Sequence, residues 1–144
     1  MKNTLTKLTA LAVVILMMLA LVACNVNTVD PVGAWENATH LSDKTFGSGK
    51  TTIEVEIKVG EQSVTFTVKT DAENLEDALV EHDIIAGEQS TYGLMVDTVN
   101  GIRADYTLDG AWWQFCKNGS PLNTGASSEL IEDGAHYEIL YTPA

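Results

Sequence analysis

Residues 51–59 read Thr-Thr-Ile-Glu-Val-Glu-Ile-Lys-Val, and no other stretch narrows the fold of this chain as much. Ile53, Val55, Ile57 and Val59 alternate with Glu54, Glu56 and Lys58. A period of two sends neighbouring side chains to opposite faces, so the segment is a strand with one dry and one wet side. Gly60-Glu61-Gln62 turns the chain, and Val64, Phe66 and Val68 repeat the alternation. The pattern predicts a hairpin over residues 51–69.

The period then changes. Leu75, Ala78, Leu79 and His82 sit at i, i+3, i+4 and i+7, one face of a short helix over about residues 75–83. Asn74 is the expected N-cap, with Glu76 and Asp77 suited to the positive end of the helix dipole. Strand candidates follow. Tyr92–Val99 is apolar enough for a central strand, and Asn100-Gly101 is a two-residue hairpin signal that returns the chain through Ile102–Tyr106. Ala111–Lys117 reads as a strand with Trp113 and Phe115 on one face, Trp112 and Cys116 on the other. Asn118-Gly119 opens a loop to about Asp133, and His136–Thr142 closes the chain as a strand. A hairpin, a helix and further strands predict an α+β domain over residues 50–144: a β-grasp-like mixed sheet with one short helix packed on a face.

The N-terminal part is different material. Lys2 and Lys7 precede fourteen consecutive apolar residues, Ala10 to Ala23. As a helix that run spans ~21 Å, short of a ~30 Å hydrocarbon core. A basic flank, a short apolar run and small residues make residues 1–23 a secretory signal peptide. Its end, Leu21-Val22-Ala23-Cys24, resembles the bacterial lipoprotein signal. That resemblance implies cleavage before Cys24, a diacylglyceryl thioether on its sulfur with acyl chains such as palmitate, and a membrane anchor at the outer face of the cell membrane. Residues 24–49 lack periodicity and carry Asp30-Pro31, Val32-Gly33 and Phe46-Gly47-Ser48-Gly49, which predicts a flexible tether. Trp35 either packs on the domain edge or belongs to that tether.

Removing residues 1–23 leaves 6 basic against 20 acidic side chains, a net charge of -14. Such a balance argues against nucleic acid, whose phosphates need a basic face. Cys116 is then the single remaining thiol, so no intramolecular disulfide forms. His40, His82 and His136 stand at no metal-ligand spacing. Asp105 and Asp109-Gly110 read as turn chemistry rather than a calcium loop. No nucleophile elbow, phosphate loop or acid-base pair is present, so no enzyme, resident cofactor or metal is expected.

The stretch Tyr92–Thr142 carries Val99-Asn100-Gly101-Ile102, Ala104-Asp105-Tyr106, Trp112-Trp113, Asn118-Gly119, Gly125 and Asp133-Gly134 in order. It resembles the transcobalamin-like C-terminal domain family (DUF4430) of bacterial surface proteins. Trp113-Gln114 with Pro121-Leu122-Asn123 and Gly125 is also similar to a hairpin of intrinsic factor and transcobalamin. In those carriers a small β domain covers the upper face of a cobalamin, while a helical barrel holds the other side. The resemblance implies Trp113, Phe115, Pro121, Leu122 and Asn123 as candidate ligand-binding residues, with Phe115 and Leu122 matching the positions that touch the corrin. This chain departs from the carriers in having no helical barrel, and Ala135 stands where the family motif has a second Asp. Trp113 and Phe115 either fill the core or meet the ligand.

Two functions are therefore expected from different classes. One is capture of cobalamin or a related corrinoid at the cell surface, handed on to a membrane transporter. The other is a protein-interaction or adhesive module that meets another surface protein without a small ligand.

Overall fold

The structure is a computed structural model that describes residues 33–144. The signal peptide 1–23, Cys24 and the beginning of the expected tether lie outside the described residues.

The alternating segments form β2 (Thr51–Val59) and β3 (Gln62–Thr70), paired antiparallel from Thr51↔Thr70 to Val59↔Gln62. Ile53, Val55, Ile57 and Val59 are all fully buried, as are Phe66 and Val68. Each such side chain contributes about 1.5–3 kcal/mol of burial. β9 (His136–Pro143) lies parallel to β2, with Val55 opposite Tyr137 and Ile57 opposite Ile139. β7 (Ala111–Lys117) runs antiparallel to β9, and the two-residue β8 (Ser120–Pro121) ends the sheet. With β1 (Lys44–Gly47) parallel to β3, the mixed six-stranded order is β1-β3-β2-β9-β7-β8.

One helix, α1 (Leu75–Val80), lays Leu75, Ala78 and Leu79 on the core. Asn74 caps it through Oδ1, which accepts from the Asp77 N–H at 2.9 Å. It stops earlier than its apolar period implies. Asp83 takes φ 55°, and the N–H groups of Ile84 and Asp83 return to the carbonyls of Leu79 and Val80. That pair of bonds is the left-handed terminator of a helix.

Two expectations need correction. The first is one sheet for all strands: Tyr92–Val99 does not join the large sheet. Its strand β5 (Gly93–Val99) is the middle of a separate three-stranded sheet between β4 (Ile85–Ser90) and β6 (Ile102–Arg103). β4 escaped the sequence reading because Ala86-Gly87-Glu88-Gln89-Ser90 has no alternation. Its register on β5 shifts between Ala86, opposite Thr98, and Gly87, opposite Val96. Asp97 is the extra residue, a β-bulge.

The second concerns the flexible tether over residues 24–49, whose described part is folded. Ala34–Asn37 is a 3-10 turn, and β1 follows. A four-residue parallel edge strand is too short to show a period. It is held instead by Phe46, whose ring meets Phe66 edge-on at 5.1 Å and His40 at 5.4 Å. Trp35 is half-buried against the same core.

Candidate functional site

Asn118 and Gly119 take φ 49° and 80°, so Asn-Gly here is a tight hairpin turn joining β7 to β8 rather than the start of an open loop. Cys116 faces Pro121 across it, and the Leu122 N–H donates to the Phe115 carbonyl at 2.9 Å. Pro121 lacks an N–H and occupies the outermost strand, where a missing donor costs least. After Leu122 the chain swings back through Gly125 into a 3-10 turn, Ala126–Ser128.

This return segment is pinned at several points. The Ser127 hydroxyl donates to the Tyr92 carbonyl at 3.2 Å. The Leu75 N–H donates to the Glu129 carbonyl at 2.9 Å, and the Ile131 N–H to that of Glu73 at 3.1 Å. Glu129 Oε1 accepts from Lys117 Nζ at 3.0 Å and from the Tyr137 hydroxyl at 3.1 Å. Burial, then the bond to Glu129, pushes the Tyr137 phenol up to about 12. The same carboxylate raises the Lys117 ammonium above its usual value, against the opposing effect of burial.

Between β7–β8 and this return segment lies a cleft of about 230 Å³. Trp113, Phe115, Pro121 and Leu122 all line it, so the fold brings together four of the five residues singled out from the sequence. Asn123 is exposed and does not line the cleft. Trp113 is 5 % exposed and therefore belongs to the core as well as to the cleft wall. Its indole N–H donates to the Asp97 carbonyl at 3.3 Å, and its ring meets Tyr141 edge-on at 5.3 Å. Phe115 and Leu122 are half-buried and can contribute further apolar burial to a ligand. Trp112, Gln114, Thr124, Gly125 and Ala126 complete the lining. Gly125 was legible as a family marker; Thr124 and Ala126 carry no signal that sequence reasoning could use.

The cleft is mainly apolar, with the Gln114 amide and the Thr124 side chain in its lining, and is smaller than the ~300–1,000 Å³ of an enclosing ligand pocket. Its size suits one edge or substituent of a larger molecule lying across it. Among the described residues no three His, Cys, Asp or Glu side chains are grouped to hold a metal ion.

No family model and no curated protein matches the sequence. Solved structures do. Haptocorrin in complex with Cbi superposes with a TM-score of 0.53 at 19% identity, over 68% of this chain and 26% of that chain. That likeness shows a shared fold with a quarter of haptocorrin. A protein from Ruminococcus gnavus ATCC 29149, for which metal binding has been suggested, superposes with a TM-score of 0.61. It is 30% identical over 66% of this chain and 99% of that chain. An identity of that size over essentially the whole of the Ruminococcus gnavus protein shows that this chain belongs to the same family.

Proposed function

We propose that the chain is a surface lipoprotein whose transcobalamin-like domain, of the DUF4430 type, captures cobalamin or a related corrinoid through the β7–β8 cleft. The observation that carries this reading is the convergence of Trp113, Phe115, Pro121 and Leu122 on one apolar cleft, beside a fold shared with haptocorrin. Phe115 and Leu122 would lie against the macrocycle edge, and buried Trp113 would support them from below. Because the cleft takes only part of such a ligand, the domain supplies one face of the site. A transporter or a second protein would cover the other. Lipid on Cys24 would hold the domain at the outer face of the membrane. No helix among the described residues is long and apolar enough to cross one.

Calorimetric titration of residues 26–144 with cobalamin tests the reading. Saturable binding tighter than about 1 mM, ~-4 kcal/mol, is expected. Leu122→Ala should weaken it by about 1–3 kcal/mol. No saturation, or an unchanged affinity in the variant, would remove this function for the cleft.

A further inference from the structure

A second cleft, of about 360 Å³, opens on the other side of Trp112, between the small sheet and the β6–β7 connection. It lies within the size range of ligand-enclosing pockets, ~300–1,000 Å³. Its apolar lining is unusually open to solvent: Trp112 is 42 % exposed, Met95 66 % and Tyr106 68 %. Three carboxylates, Glu88, Asp97 and Asp105, share the lining, and no Lys or Arg does.

Glu88 stands directly opposite Met95 across the β4–β5 pair. Asp97 is the bulged residue, and bulges re-aim a side chain. Its carbonyl accepts from the Ala104 N–H at 2.7 Å and from the Trp113 indole at 3.3 Å, which fixes the small sheet against β7. Asp105 Oδ1 accepts from the Thr107 and Leu108 N–H groups at 2.8 and 2.9 Å, so the segment carrying Tyr106 is a closed turn. Arg103 lies 3.5 Å from Asp105 and balances that charge. The Glu88 carboxylate has no hydrogen-bond or ion-pair partner among the described residues.

We infer that this cleft binds an organic ammonium group. Aromatic faces attract a cation through the ring quadrupole, and the apolar lining covers the methyl or methylene groups that carry the charge. The unbalanced carboxylates add the complementary charge. A neutral ligand of the same shape would use the apolar surface alone, and an anion would meet three carboxylates. The site is distinct from the β7–β8 cleft, with which it shares Trp112 only among its lining residues.

The test uses the full chain in a non-ionic detergent, titrated by calorimetry and tryptophan fluorescence. Choline is the probe, 3,3-dimethylbutanol its uncharged isostere, and trilysine a peptide-borne ammonium. Choline should bind saturably below about 10 mM, and the isostere about 3- to 30-fold more weakly. Trp112→Leu and Glu88→Gln should each weaken choline, whereas Leu122→Ala should leave it unchanged. Choline binding without trilysine binding assigns the site to free small cations; trilysine binding displaced by choline assigns it to a side chain on a partner. Equal affinity for choline and the isostere, no saturation with either cation, or indifference to both cleft variants overturns the inference. A failed corrinoid titration leaves these outcomes untouched.

Discussion

Asn100 occupies φ 49° in the tight turn between β5 and β6, a conformation that Asn and Gly tolerate best. Its side chain does something the turn does not require. Oδ1 accepts from the His40 N–H at 3.0 Å, and Nδ2 donates to the His40 carbonyl at 2.9 Å. The sequence announces the turn but not this clamp, because the partner lies sixty residues away. Asn100→Gly keeps the turn and deletes the clamp. Urea unfolding is expected to show a loss of about 1–3 kcal/mol with an unchanged m-value; equal stability would contradict the clamp. Tyr137 offers a test by pH. Its phenol is raised to about 12 in the folded chain, by burial first and Glu129 second, and ionises near ~10 when unfolded. The folded state therefore holds the proton more tightly between these values. The stability this provides is complete below pH ~10 and is lost as the pH rises toward about 12. Unfolding free energy should fall over that window in the parent chain and fall less in Tyr137→Phe.

At the scale of elements, legibility followed period and length. β2, β3 and β9 alternate in sequence and β7 is a seven-residue aromatic-rich run, so length and pattern mark all four. Asn74 and the Leu75–Leu79 face mark the start of α1, while its end depends on the positive φ of Asp83, which no pattern reveals. β4 and β1 were silent for two different reasons. β4 pairs across the bulge in β5 and has an exposed, glycine-containing sequence, and β1 is four residues long. The candidate cleft was partly legible: Trp113, Phe115, Pro121 and Leu122 are close in sequence and share a hairpin. Its opposite wall, Thr124 to Ala126, is held by hydrogen bonds of the following residues to α1 and to Tyr92 ahead of β5, which only the fold supplies. The folded segment 33–49, with its 3-10 turn and β1, predicts that a chain beginning at Lys50 is less stable than one beginning at Gly33. Losing Trp35 and Phe46 from the core edge should cost about 2–4 kcal/mol. Equal melting temperatures for the two chains would contradict a structural role for that segment.

Across the whole molecule, the last strand lies beside the first hairpin, with β9 parallel to β2 and antiparallel to β7. The large sheet is thus completed by its last strand, and β7 joins that sheet through its pairing with β9. That arrangement sets the cleft at one end of the large sheet, with Trp113 tied to the small sheet through Asp97 and to β9 through Tyr141. The cleft wall formed by Trp113 and Phe115 is therefore part of the sheet and tied to the core, and little rearrangement of that wall should accompany the binding proposed above. The most direct measurement is an amide and indole chemical-shift map of residues 26–144 during cobalamin titration. Saturable shifts centred on Phe115, Leu122, Gly125 and the Trp113 indole are expected, with β1 and α1 unmoved. Saturable shifts centred elsewhere, or none at these positions, would contradict binding at the cleft.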